Sequence, residues 1–519
     1  MRTKVIQGKP GQSRLRGPLV ASCLLSLASL AVASIGLAED RAPPSPNQPW
    51  YPPQLDKYEQ DLARGQFESK SNLVTVEIDP EKVYDLPELI DIAERANPQT
   101  RVAWEQARRA AAAVGLSQSA YFPYLVASAG AGYERAFIPF PTLRQGPGPS
   151  DVTITGGGTL VTEATEERAT LGVKWLLFDF GERKAVSAMA REQLMAANVG
   201  FNATHQQIVF AVTQHFYELN TARQKLVVAE TSQQASETVE KSAQERFDHG
   251  LAIKPEVLQA EQQSAQAAFD VEAARGALSD AQVAFVESLG ILPTAKLQVA
   301  EISDKALPAD PADSEELMER ALAQRPDLVA KLANVRARQA EVKKARAAYY
   351  PKIALNANAG YAELDVSAEN SPYFGGSEPV YGAGISIELP LFDGFARRNK
   401  LRVAESDLRA AEDELAHSRD AVIREVWKAR TDFETALRKQ ESAAKLVAAA
   451  ESAFAAALDA YEHGVGTFVD VANAQRNVTA ARSVVVDTRA AIYTSAAALA
   501  LSVGDLARPA PRFTINRAK

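Results

Sequence analysis

The chain has 519 residues, 46% hydrophobic, 24% charged and 7% aromatic. That composition excludes collagen, a disordered tail and a polytopic helical membrane protein. With 57 Lys+Arg against 65 Asp+Glu the net charge is -8, which argues against a nucleic-acid partner, and the single Cys23 excludes a disulfide framework or a cysteine metal site within one chain.

In chain order, residues 1–38 come first. Arg2, Lys4, Lys9, Arg14 and Arg16 precede an apolar run from Leu19 to Leu37, which ends in small residues before Glu39-Asp40. This is the pattern of a secretory signal peptide cleaved after Ala38 or, second, after Ala33. A membrane anchor and lipidation at Cys23, after Val20-Ala21-Ser22, are the alternatives. Residues 39–82 form a Pro-rich N-terminal extension.

From residue 83 the chain reads as one unit written twice, 83–290 and 313–504, with 291–312 as linker and 505–519 as tail. Glu88-Leu89 with Ala93 and Pro98 recurs as Glu316-Leu317 with Ala321 and Pro326. Tyr121-Phe122-Pro123 recurs at the same offset as Tyr349-Tyr350-Pro351. Leu177-Phe178-Asp179, His249-Gly250-Leu251 and Ser288-Leu289-Gly290 recur at a shorter offset as Leu391-Phe392-Asp393, His463-Gly464-Val465 and Ser502-Val503-Gly504. The change of offset places a longer loop in the first copy.

Each copy first offers a helix and then two segments of period two. In 169–177 the odd positions, Leu171, Val173 and Trp175 among them, are apolar. Ile353 and Leu355 alternate with Ala354 and Asn356, and Ile385 and Ile387 with Ser386 and Glu388. A weaker segment spans Leu125–Tyr133. Segments of about 9–11 residues with this alternation suit a transmembrane barrel, apolar towards lipid and polar towards a wet lumen. The same pattern also fits half-buried hairpins of a soluble domain. Tyr133, Trp175, Tyr361 and Tyr381 lie towards strand ends, as interfacial girdles do. Phe137–Glu167 and Asp365–Pro379 read as Gly-, Pro-, Ser- and Thr-rich outer loops. Four strands cannot close in lipid, so closure needs several chains; three give twelve strands, the smallest ring with an open lumen.

After the strands, 180–249 holds no proline and only Gly200 inside it, and 395–463 holds neither. Both are rich in good helix formers. Each predicts one helix of about 65–70 residues, roughly 100 Å long. Leu401, Ala404, Leu408, Ala411 and Leu415 keep the spacing of a packed face. A second helix follows each turn, near Pro255–Leu289 and Thr467–Val503, making an antiparallel helical hairpin in each copy.

On these residues the chain resembles the TolC-like outer membrane efflux protein family over nearly all of 83–505. The most specific likenesses are Tyr-Phe-Pro and Tyr-Tyr-Pro, the two Leu-Phe-Asp motifs, and the turns Phe247…His249-Gly250-Leu251…Glu256-Val257 and Tyr461…Gly464-Val465…Asp470-Val471. The resemblance implies a mainly α protein with transmembrane β structure. It implies a homotrimer with a 12-stranded outer-membrane barrel continued by a periplasmic α-helical barrel. It also implies an exit duct working with a periplasmic adaptor (membrane fusion) protein and an inner-membrane pump. The alternative is a trimeric coiled-coil surface or structural protein with a barrel anchor, which predicts one terminal barrel segment rather than two alternations of strands and helices.

The candidate site residues follow. Gly250 and Gly464 end helices and are followed by Leu251 and Val465, a common helix terminus; under the resemblance these tips also dock the adaptor. Asp470, three residues after Thr467, reads either as a capping-box partner or as one member of an acidic ring at the pore entrance. The family's second acidic position is Asn473 here. Glu256 matches Asp470 in the first copy, and a hydrogen bond from Tyr461 to Glu256 is expected to hold the tip closed. Leu171, Val173, Trp175, Ile353, Leu355, Ile385 and Ile387 are the expected lipid-facing residues. No catalytic constellation, cofactor motif or metal-ligand spacing is present, so neither an enzyme nor a resident metal is expected.

Overall fold

The computed structural model describes residues 55–63, 78–148, 150–292, 297–301, 313–368 and 374–506. The signal segment, Cys23, most of the Pro-rich extension and the tail from 507 lie outside them. Residues 1–73 and 74–519 form separate units. Of the first, the helix α1 (Leu55–Ala63) is described.

The second unit opens with β1 (Val83–Tyr84), α2 (Leu86–Ala96) and α3 (Pro98–Ser119). Asp85 and Glu88 form a reciprocal capping box on α2, which satisfies two orphan N–H groups at that helix start. Strands β2 (Tyr124–Gln145) and β3 (Val152–Phe178) follow, then the helical hairpin α4 (Glu182–Asp248) and α5 (Lys254–Leu289). In the linker, β4 (Gln298–Val299) pairs in parallel with β1. The plan then repeats as α6 (Ser314–Gln324), α7 (Pro326–Ala347), β5 (Lys352–Ala368), β6 (Phe374–Glu388), α8 (Ala396–Glu462) and α9 (Phe468–Val503). Helices α4 and α8 are both 67 residues long, and α5 and α9 both 36.

Each copy has its own apolar core where its short helix crosses the long pair. Leu89, Ile92 and Ala93 pack on Ile208, Val212, Phe216, Phe285 and Leu289. Leu317, Ala321 and Leu328 pack on Val422, Val426, Phe433, Ile492 and Leu499. The repeat is visible in single bonds: Asn97 donates its side-chain amide to the Ser288 carbonyl, and its counterpart Arg325 donates to the Ser502 carbonyl.

The four long strands form one antiparallel sheet in the order β2-β3-β5-β6, so β2 and β6 are its open edges. Two expectations are corrected here. The strands exceed 9–11 residues, and 137–145, 152–167, 365–368 and 374–379 are strand, not loop: β2 and β3 pair from Tyr124–Lys174 out to Gln145–Val152. Period two is masked there by prolines and glycines, yet the hairpin still closes its ladder, with one irregularity between Pro141 and Thr142. The extra length of the first copy is thus hairpin.

Candidate functional site: the sheet face, its joint to the helices, and the helical tip

Directly paired residues share a face of an antiparallel sheet. Leu171 pairs with Ala127 and Ala359, Val173 with Leu125 and Ala357, Trp175 with Leu355, and these with Ala383 and Ile385. Ile353 pairs with Ile387. All seven residues expected to meet lipid therefore lie on one face. Leu171, Trp175, Ile385 and Ile387 are exposed, while Val173, Ile353 and Leu355 are half-buried. Beyond Tyr361 the same face turns charged at the Glu167–Glu363 pair and at the Arg135–Glu163 ion pair, so the apolar stretch covers nine positions of β5, Ile353 to Tyr361. At about 3.4 Å per residue and barrel tilt, this is close to the height of a membrane band. Tyr133, Tyr361 and Tyr381, expected near strand ends, instead lie inside their strands, Tyr381 paired with Ala359 within the apolar stretch. The opposite face is polar: Ser128 bonds Thr170 (2.9 Å), Asn356 donates to Ser386 (3.1 Å), and Arg168 pairs with Glu166 (2.8 Å).

At the inner end of the sheet the repeated motifs meet one another. Asp179 accepts the Arg183 backbone N–H (2.8 Å) and its Nε–H (3.0 Å), and Asp393 does the same for Arg397 (3.0 and 2.9 Å). The Arg183 guanidinium also donates to the carbonyls of Ala120, Leu176 and Leu177 and lies 4.8 Å from the Tyr121 ring. Trp175 donates its indole N–H to the Tyr121 carbonyl. These bonds hold Phe180 (φ 51°) and Phe395 (φ 66°) in the left-handed region, a conformation that costs an L-residue about 1–2 kcal/mol. Arg183 and Arg397 were missed from sequence. The signal was their constant distance from Leu-Phe-Asp in both copies.

At the far end of the helices are the turns. Gly250 (φ 73°) and Gly464 (φ 75°) are left-handed. The following Leu251 and Val465 N–H groups return to the carbonyls of Arg246 and Ala460. The side chains of Leu251 and Val465 are 68% and 83% exposed, so they do not make the apolar contact that usually seals such a helix end. With Ile253, Leu258 and Val469, also exposed, they leave apolar surface at the tip.

Thr467 and Asp470 form the capping box: the Asp470 carboxylate accepts from the Thr467 hydroxyl (2.6 Å) and N–H (3.2 Å), and the Asp470 N–H donates back (3.3 Å). Those bonds lower the Asp470 pKa below its usual 3.8, the Thr467 hydroxyl contributing most. Asn473 accepts from Arg476 at 2.5 Å. Glu256 stands in the first turn of α5.

The expected Tyr461–Glu256 hydrogen bond is not made. Tyr461 is 2% exposed, and its buried hydroxyl has no hydrogen-bond partner of normal geometry among the described residues. Burial first, and the nearby Glu256 charge second, raise its pKa above 10. At the turns Arg246 ties the hairpins instead. Its Nη1 donates to the carbonyls of Tyr461 (2.8 Å) and Glu462 (3.2 Å), and its guanidinium lies 4.6 Å from the Tyr461 ring. Around them Val239, Ala243, Ala260, Phe468, Val471 and Ala472 form a small core. Sequence reading missed Arg246 because a carbonyl acceptor has no residue signature.

Above this core a groove of about 520 Å³ runs between the hairpins, lined by polar side chains such as Gln259, Gln263 and Gln475 and by apolar ones such as Ala267, Phe468 and Ala472. Gln475 is buried and fully engaged: it accepts from Gln263 and donates to the Ser232 carbonyl and Ser236 hydroxyl. Among the described residues no His, Cys, Asp and Glu side chains group closely enough to hold a metal.

Comparison with known proteins gives concordant results. The model of the outer membrane efflux protein family matches residues 89–291 and 317–505. Protein CyaE of Bordetella pertussis is 28% identical over 431 residues, 82% of this chain and 84% of its own length. Outer membrane protein TolC of Vibrio cholerae is 24% identical over 395 residues, 76% and 84% of the two chains. Among solved structures, a membrane protein from Pseudomonas aeruginosa superposes with a TM-score of 0.68 at 24% identity, covering 82% of this chain and 96% of that one. CusC gives 0.66 at 20% identity, with 81% and 92% covered.

Proposed function

This chain belongs to the outer membrane efflux protein family, whose members are channel proteins working with periplasmic adaptors and inner-membrane pumps, and from that premise we propose how it forms its duct. The protein is an outer membrane efflux channel. Three copies close a twelve-stranded ring, with the Leu171 face towards lipid and the Thr170 face towards the lumen. The observation that carries this is the sheet itself: apolar on one side, polar on the other, and unpaired at both edges. Open edges in hydrocarbon leave backbone groups unsatisfied, and four strands cannot satisfy them alone. Helix α9 supports the same closure. It is long and apolar enough to cross a membrane, yet only 17% of its most apolar window is buried within one chain, which calls for cover from neighbouring copies.

The helical tips are the periplasmic entrance. The exposed Leu251 and Val465 at the two turns fit a docking surface for the adaptor, since exposed apolar residues grouped at one end of a molecule commonly mark an interface. Asp470 and Glu256 surround the entrance, and Arg246 holds the two hairpins of a chain together there. Detergent-extracted protein measured by native mass spectrometry is expected to be three chains, and in planar bilayers to conduct as one pore. A stable water-soluble monomer would overturn this assembly.

A further inference from the structure

An aromatic contact at the sheet–helix joint is made once inside the chain, where Phe180 and Tyr350 are 43% and 53% exposed, and is left unmade at both outer edges. Between the two copies, the Phe180 ring stacks on Tyr350 (5.2 Å, 16°), and Phe178 meets Phe180 edge-on (4.7 Å, 76°). Phe180 belongs to the turn that ends the first strand pair, and Tyr350 to the motif that opens the second. Under the repeat the counterpart of Tyr350 is Phe122, just before β2. The turn that ends the second strand pair carries Phe392 and Phe395, themselves edge-on at 5.5 Å and 86°. Asp179-Phe180-Gly181 has become Asp393-Gly394-Phe395, so the ring has moved one residue along. Both positions are left-handed in each copy, so the backbone presents a ring at either place.

These counterparts sit at opposite edges of the sheet, just before β2 and just after β6, and cannot meet within one chain. Phe122, Phe392 and Phe395 are 70%, 75% and 54% exposed. We infer that the Phe392–Phe395 pair of one chain packs on Phe122 of the next, repeating between chains the contact that Phe180 and Tyr350 make between the two repeats of each chain. This rests on the closed ring proposed above, in which the open edge of β6 meets the open edge of a neighbour's β2. Internal repetition supports it, because a ring of alternating first and second copies meets the same joint at every boundary. Aromatic pairs of this kind add to what burial alone contributes, and six joints rather than three would seal the ring.

The test is cross-linking in the full chain with Cys23→Ser. The double variant Phe122→Cys/Phe395→Cys, treated with a short bismaleimide in membranes, is expected to give a covalent ladder ending at three chains on denaturing gels. Each single variant is expected to stay monomeric there. Within one chain the two sites are separated by three strand spacings, about 14 Å, and a link inside the chain leaves it monomeric on the gel. An intact native trimer without the ladder overturns the inference and leaves the duct standing, whereas a native monomer overturns the duct as well. Phe122→Trp gives an independent readout. Its added emission is expected to escape quenching by brominated phospholipid, and quenching would show that lipid covers this ring rather than a second copy.

Discussion

At the scale of single residues, the tip is held by a cation on carbonyls rather than by the tyrosine hydroxyl. Tyr461→Phe removes a hydroxyl that has no hydrogen bond of normal geometry among the described residues, so the open fraction in single-channel recordings is expected to stay unchanged. Arg246→Met removes two bonds across the hairpins and the guanidinium from the Tyr461 ring. Hydrogen bonds from a charged donor contribute about 1.5–3 kcal/mol each, so this variant is expected to open more often. Equal behaviour of the two variants would remove Arg246 from the gate. Asp470 has two possible tasks. Its depressed pKa means that its capping contribution is present above the unfolded value of 3.8 and is lost as pH falls below it. Asp470→Asn is expected to weaken block by multivalent cations if three carboxylates converge on the pore axis. Unchanged block would leave Asp470 as a helix cap alone.

At the scale of elements, the two faces of the sheet make opposite demands. Leu171→Arg or Ile385→Arg is expected to cost about 2–4 kcal/mol if the side chain meets mid-membrane lipid, measured as loss of folded barrel in lipid. The same change at Thr170 or Ser386, which bond Ser128 and Asn356 on the other face, is expected to alter conductance with less effect on folding. Equal tolerance on both faces would mean that these are not membrane strands. The helices carry their own test. Phe285 and Phe433 are 1% and 2% exposed in two separate cores. Each change to Ala is expected to destabilise by about 3–5 kcal/mol. Because the cores share no residue, the double variant's loss in heat denaturation is expected to be the sum of the two.

At the scale of the whole molecule, the sheet edges β2 and β6 have no partner strand among the described residues of one chain. The two larger cores stabilise the middle of the helices and a third the tip, while the sheet edges and the joint aromatics Phe122, Phe392 and Phe395 remain uncovered within one chain. Dilution in mild detergent is therefore expected to lose sheet structure before helix, followed by circular dichroism against native mass. Helical residues satisfy their own backbone bonds, whereas β2 and β6 each keep one edge without a partner strand among the described residues and depend on the proposed ring for it. Loss of both signals together would argue against this order.

Much of this architecture was legible in the sequence because its determinants are local and occur twice. Proline-free, alanine- and glutamate-rich stretches set the long helices, left-handed glycines set Gly250 and Gly464, and alternation placed Leu171, Ile353 and Ile385 on one face. The capping role open to Asp470 followed from its distance to Thr467. What only the tertiary structure decided involves partners distant in sequence or without side-chain identity. Arg246 and Arg183 bond to carbonyls, which any residue can offer. The Tyr461 hydroxyl lost its expected partner because the ring is buried in the tip core, turned to a guanidinium instead of a carboxylate. The strand lengths beyond Phe137 and Asp365 came from ladder pairing, which tolerates glycine and proline where a single-strand pattern does not. Period and spacing record what a residue does for its own element, and the meeting of elements is set by packing across the fold.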